Sequence, residues 1–121
     1  MIARMHHVVL DCPDPQRLAA FYSALLGKPI TYRSADFVVV ADDDTSSSLA
    51  FQLAPDHRPP AWPDPDRPQQ LHLDFMVNDL ASARDWVIGL GARPLDGSVF
   101  ADPAGHPFCL IDRPPWAPPL D

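Results

Sequence analysis

The stretch LHLDFMVNDL, Leu71–Leu80, nearly repeats one that stands near the start of the chain, MHHVVLDCPDP, Met5–Pro15. With His72 laid on His7, Val77 falls on Cys12 and Asp79 on Asp14. In both copies a histidine opens an apolar run and an aspartate closes it. The match extends outward. In the first copy Asp14 is a good N-cap and Pro15 suits the first helical position. Leu18, Phe21, Tyr22, Leu25 and Leu26 follow at helix spacing, and Gly27 stands where a glycine ends a helix. Ile30 to Arg33, Phe37 to Ala41 and Leu49 to Ala54 read as three strands, separated by the turn Ser34-Ala35-Asp36 and the polar loop Asp42 to Ser48. The first strand, His6 to Cys12, makes the order β-α-β-β-β.

The second copy follows the same plan. Leu71 to Val77 is the strand, and Asn78 or Asp79 caps a helix carrying Leu80, Ala83, Val87 and Leu90. Gly91 ends that helix. Leu95 and Ser98 to Ala101 form a short hairpin about Asp96-Gly97, a strong turn signal. Asp102, in Asp102-Pro103-Ala104-Gly105, reads as a turn-former, and Pro107 to Ile111 is the last strand. A duplicated unit constrains a fold more than any single propensity. The expected fold class is α+β: two βαβββ modules with mixed sheets forming a half-open barrel around one cleft. The modules span about 5–54 and 71–113, joined by a linker at about 55–70, in a single domain of 1–121.

Composition bounds the function. The formal charge of −7 argues against nucleic acid, which asks for a basic stripe, and against an anionic membrane surface. No run approaches the ~18 apolar residues of a membrane span, and no basic-then-apolar leader precedes the first strand. A cytoplasmic location is expected, with Cys12 and Cys109 kept as thiols. Of sixteen prolines, six lie from Pro55 to Pro68 and six from Pro103 to Pro119. Proline cannot donate to a sheet ladder, so the first cluster reads as the linker and the second as turn and tail. Trp62 in the linker would cap a cleft, anchor a subunit contact or cover its own sheet edge, Trp86 would pack its helix, and Trp116 would tack down the tail. The run Asp42-Asp43-Asp44 reads as a solvated loop tip or a cation site.

Strand alternation sorts side chains by face. Val8, Leu10 and Cys12 oppose His7, Val9 and Asp11; Leu73, Phe75 and Val77 oppose His72, Asp74 and Met76. The uniformly apolar sets belong under the helices. The mixed sets belong to the cleft, so both histidines are expected to look into one hollow. Two readings of them stand, as metal ligands or as polar groups on a pocket wall. Cys109 reads as a ligand, a nucleophile or a small buried residue. Asp74 shares the inner face with His72 and reads as a proton acceptor or an ion-pair partner.

The segments HHVVLDCPDP, FYSALLGKP, LHLDFMVNDL and DPAGHPFCLID, in this order, resemble the vicinal oxygen chelate superfamily of glyoxalase I, bleomycin-resistance proteins and extradiol dioxygenases. The resemblance covers about Met5 to Arg113 and points to the small bacterial glyoxalase-like domains. In metal-dependent members, one residue from the first and one from the last strand of each module converge on a divalent ion. The matching positions here are His7, Gln52, His72 and Cys109, with Gln52 and Cys109 standing where the family often has glutamate. Such a set accommodates Zn²⁺ and suits Mg²⁺ or Mn²⁺ poorly.

The resemblance implies a small-molecule-binding protein with an apolar cleft. Val9, Phe37, Met76 and Trp62 would line it, and His7, His72, Gln52 and Asp74 would anchor the ligand. The alternative is a Zn-dependent lyase or isomerase acting on a small carbonyl or vicinal-oxygen substrate, with Asp74 or Cys109 as candidate catalytic groups. A metal-free thiol enzyme using Cys109 is a third reading. Family practice and the liability of exposed sheet edges imply a homodimer.

Overall fold

The computed structural model describes residues 1–43 and 45–121. Asp44 of the acidic run lies outside them. The chain divides into two compact units, Met1–Arg58 and Pro59–Asp121. The duplication read from the sequence is what they embody, an α+β architecture of two βαβββ modules.

In the first unit β1 (His7–Cys12) leads into α1 (Pro15–Leu26), followed by β2 (Ile30–Arg33), β3 (Phe37–Val40) and β4 (Ser48–Leu53). The sheet order is β1-β4-β3-β2, with β1 parallel to β4 and the other pairs antiparallel. The Asp14 carboxylate accepts the Arg17 backbone N–H at 3.1 Å, Pro15 occupies the first turn, and Gly27 closes the helix in the left-handed region. α1 buries Leu18, Ala19, Phe21 and Tyr22 against Leu10, Cys12, Val38 and Phe51 on the sheet's helix side. Tyr22 stacks on Phe51 with ring centroids 5.4 Å apart.

The second unit repeats the order with β5 (Leu73–Val77), α2 (Leu80–Leu90), β6 (Arg93–Asp96), β7 (Val99–Ala101) and β8 (Pro107–Asp112). Its sheet runs β5-β8-β7-β6, again parallel only between the first and last strands. Proline behaves as sheet chemistry requires: Pro94 lies on the edge strand and Pro107 is the first residue of its strand. Asp79, rather than Asn78, caps α2, accepting from the Ser82 N–H and hydroxyl at 2.9 and 2.6 Å. These two bonds hold its carboxyl below the usual carboxylate range.

The helices are not equally packed. Aligned by their caps, Leu18 and Tyr22 of α1 correspond to Ala83 and Val87 of α2, and α2 buries only Val87. Trp86, expected to pack, is 54% exposed. The core of this unit is instead aromatic: Phe108 lies with its ring centroid 5.7 Å from those of both Phe75 and Phe100.

Two further readings shift, those of β5 and of the tail. β5 begins at Leu73, so His72 precedes the strand instead of opening it. The segment read as the linker carries no helix or strand and is tied by bonds of its own. The Ala61 N–H bonds Arg67 O at 2.9 Å and the Arg67 guanidinium bonds Pro59 O at 2.8 Å. The tail is held by Ala117, which is buried, by the Arg113 bond to Ala117 O, and by a two-way bond between the Asn78 amide and the Leu120 backbone. Trp116, expected to tack it down, is 85% exposed.

The Asp102 turn forms as its sequence suggests. The buried carboxylate accepts the N–H groups of Ala104 and His106 at 2.9 and 3.0 Å. Gly105 follows at φ +91, and a Cβ there would collide with Pro59 Cβ. Gly105→Ala is expected to destabilise by about 1–3 kcal/mol, from left-handed strain plus the collision with Pro59. Gly89→Ala, within α2 and with nothing inside 4 Å, should stabilise by roughly 0.5–1 kcal/mol. Paired urea titrations of the two variants check both signs.

Candidate functional site

Two groups of chemistry-bearing residues form, one in each unit, both on the sheet face opposite the helix. In the first sheet, register places His7 beside Ser48, Val9 beside Ala50 and Asp11 beside Gln52. Phe37 and Val39 of β3 lie opposite Gln52 and Ala50, and Tyr32 of β2 lies opposite Val39. Val39, Ala41 and Ala50 form a small apolar cluster with Phe37 against it. Above it opens a hollow of about 490 Å³. Phe37 and Val39 make its floor, His6, His7 and Tyr32 its walls, and Thr31, Asp43 and Ser48 its polar rim. The volume lies in the range of small-molecule sites.

The hydrogen bonds fix how His7 presents itself. The Ser48 hydroxyl donates to His6 O at 3.2 Å, so it has no proton left for the ring. It therefore accepts from His7 Nδ1–H at 2.5 Å, and His7 Nε2 keeps its lone pair. Burial, and then the charge of His6, push the His7 pKa down, so the neutral ring dominates at pH 7. The rings of His7 and Phe37 stand 5.9 Å apart, and those of Tyr32 and Phe37 6.4 Å. Of the acidic run, Asp42 pairs with Lys28 at 2.9 Å.

In the second sheet His72, Asp74 and Cys109 gather, each offering a ligand atom within 4.8 Å of the others. Register sets Asp74 directly opposite Cys109, and His72 Nε2 stands 3.4 Å from Asp74 Oδ1. Burial, then the Asp74 charge and a hydrogen bond to it, push the Cys109 thiol up. At neutral pH the sulfur keeps its proton, the opposite of what a nucleophilic cysteine requires. Gln69, a residue the sequence reading passed over, stands beside this cluster. Its Nε2 is 3.4 Å from His72 Nδ1, while its buried Oε1 has no partner. With the amide turned over, Oε1 accepts Nδ1–H and leaves the Nε2 lone pair of His72 facing the cluster.

This donor set fits a divalent ion of the zinc kind. One imidazole nitrogen, one carboxylate and one sulfur make a three-ligand open site, and the orphaned Gln69 oxygen supplies the outer bond such a histidine needs. It suits Mg²⁺ poorly.

The expected ligand positions are therefore rearranged. The structure brings His72 and Cys109 together and adds Asp74 to them. His7 and Gln52 it holds apart, since Gln52 lies opposite Asp11, four residues along the strand from Ser48 and so about 13 Å away along the sheet. Comparing the two sheets explains why. Cys109 pairs with the residue two past His72; the residue two past His7 is Val9, and it pairs with Ala50. The counterpart of Cys109 in the first sheet is thus Ala50. Val9 and Met76 take the predicted faces of their strands, Val9 41% exposed, with Met76 beside Ile111. Trp62 is half-buried over a small recess among Pro63, Pro65, Pro68 and Gln69.

Two four-stranded mixed sheets, each with one helix and a parallel outer pair, define a paired βαβββ fold. The profile of the glyoxalase-like domain matches residues 7–111, and the chain belongs to that family, within the vicinal oxygen chelate superfamily. Solved structures agree in fold. A glyoxalase/bleomycin resistance protein/dioxygenase family enzyme from Burkholderia phytofirmans PsJN is 18% identical at a TM-score of 0.71, covering 91% of this chain and 98% of that one. A glyoxalase-related enzyme from Fulvimarina pelagi is 18% identical at 0.68, covering 96% and 92%. The trypanothione-dependent glyoxalase I of Leishmania major is 17% identical at 0.60, covering 91% and 86%. Likeness at these identities shows the fold alone. No curated protein sequence matches the chain. Among the described residues no helix is long and apolar enough to cross a membrane.

Proposed function

We propose that the chain is a small-molecule-binding protein whose ligand seats in the hollow of the first unit. The observation that carries this reading is the hollow itself, with its apolar floor of Phe37 and Val39 under a rim of Ser48, Thr31 and Asp43. A mostly apolar concavity with a few converging polar groups is the usual form of such a site. His7 Nε2, an acceptor held in place by Ser48, gives the ligand a directional bond, and Tyr32 offers an exposed aromatic ring. The family supports the same general role. Backbone NMR during titration with a library of aromatic fragments tests it. Shifts should gather at Thr31, Tyr32, Phe37, Val39 and Ser48; shifts gathering elsewhere would overturn the assignment.

A second reading is favoured by the His72, Asp74 and Cys109 cluster, that of a metal-dependent lyase or isomerase acting on a small carbonyl compound. A bound Zn²⁺ would supply Lewis-acid polarisation of a carbonyl oxygen. The chain's own part would be positional. Gln69 holds the His72 ring, and Asp74 bears charge beside both other donors and is a candidate proton acceptor from a carbon acid.

A further inference from the structure

The electrostatics of the first unit's hollow are one-sided. At its rim Asp43 Oδ1 accepts four hydrogen bonds, from the Thr45 N–H and hydroxyl at 2.8 Å each and from the Ser46 N–H and hydroxyl at 2.9 and 3.0 Å. Four donors on one oxygen hold the carboxyl ionised, with its pKa down at about 2, and fix its place. None of the described residues lining the hollow is Lys or Arg. The nearby Lys28 is engaged by Asp42. The walls add to the negative side, because the ring faces of Phe37 and Tyr32 carry negative quadrupole density. Tyr32 leaves 55% of its surface open to solvent. His7 is a lone-pair donor here, through Nε2, and the chain as a whole carries −7.

An apolar floor, aromatic faces and a fixed carboxylate, with no lysine or arginine among them, describe a receptor for a flat body bearing positive charge. We propose that this hollow binds planar organic cations, aromatic rings that carry a permanent positive charge on a ring nitrogen. Such a ligand lays its ring on Val39 and Phe37, and its charge falls between the Tyr32 face and the Asp43 carboxylate. The inference rests on the reading that the hollow is the ligand site, and names the chemistry of what that site takes. A turn-forming aspartate alone predicts something different. In that case Asp43→Asn, which keeps an Oδ1 acceptor for Thr45 and Ser46, would change nothing at the hollow.

Three probes of similar shape separate the outcomes: 1-methylquinolinium, neutral quinoline and anionic 1-naphthoate. They are titrated at pH 8, above the histidine range, and followed by backbone NMR of the whole chain. The cation should bind about tenfold more tightly than quinoline, the sum of one cation–π contact and one exposed charge pair, with naphthoate weakest. Asp43→Asn should lower the cation's affinity about fivefold and leave quinoline unmoved, and Tyr32→Leu should lower the cation's affinity more than quinoline's. Added salt should weaken the cation alone. Quinoline binding as tightly as the cation at the same amides would overturn the charge preference and leave the hollow standing as the ligand site. Failure of every probe to shift Thr31, Tyr32, Phe37, Val39 or Ser48 would overturn both.

Discussion

Phe108→Ala is expected to lower the unfolding free energy by about 3–5 kcal/mol, a large fraction of the 5–15 kcal/mol that holds a domain folded. Phe108 is wholly buried. Its ring is flanked by Phe75 from the parallel neighbour β5 and Phe100 from the antiparallel neighbour β7, so one side chain ties three strands together. In the first unit the equivalent burden is shared with a well-seated helix. In the second, Val87 is the one residue α2 fully buries, so the aromatic cluster carries more of the packing. Ile111→Ala on the same strand is the control. Ile111 is 42% exposed on the other face and should cost only about 1–1.5 kcal/mol. Urea titration by far-ultraviolet circular dichroism measures both, and equal midpoints for the two variants would refute the aromatic core described here.

The second large effect concerns zinc. The His72, Asp74 and Cys109 cluster predicts stoichiometric Zn²⁺ in purified protein. It also predicts that His72→Ala weakens binding by at least about 100-fold, because loss of an outer partner alone costs 10–100-fold. Gln69→Ala should fall in that lesser range. The raised Cys109 pKa adds an independent readout. Its folded value lies above the ordinary thiol value, so at pH 7 the sulfur is protonated, and coordination must release close to one proton. Calorimetry in buffers of different ionisation enthalpy counts that proton, and Cys109→Ala should abolish it. Zinc affinity indifferent to His72, Asp74 and Cys109 alike would end the metal reading and leave the binding role alone.

Much of the fold was legible because duplication doubles every signal. The caps at Asp14 and Asp79, the glycines at 27, 91 and 97, and the alternation along both histidine strands all point one way. The sites were less legible, for a physical reason. Strand register depends on which residues pair across a sheet, and spacing along one strand does not report it. Gln52 looked like the partner slot of His7 because it precedes a leucine, as Cys109 does; pairing moved that slot to Ala50. Asp74 acquired its place beside Cys109 the same way. Gln69 and Tyr32 left no motif at all, since their roles come from what lies across a loop or a neighbouring strand. Trp86 and Trp116 stand exposed because a large ring on a surface turn or an outer helix face finds no partner within its own unit.

The matched registers make the two halves interchangeable templates. Because Val9 and Ala50 occupy the coordinates that Asp74 and Cys109 occupy in the other half, Val9→Asp with Ala50→Cys would copy the histidine-carboxylate-thiol constellation beside His7. Conversely, erasing it from the later half asks for only two apolar replacements. One pairing pattern thus carries two different linings, an apolar floor in the first half and a histidine-carboxylate-thiol cluster in the second.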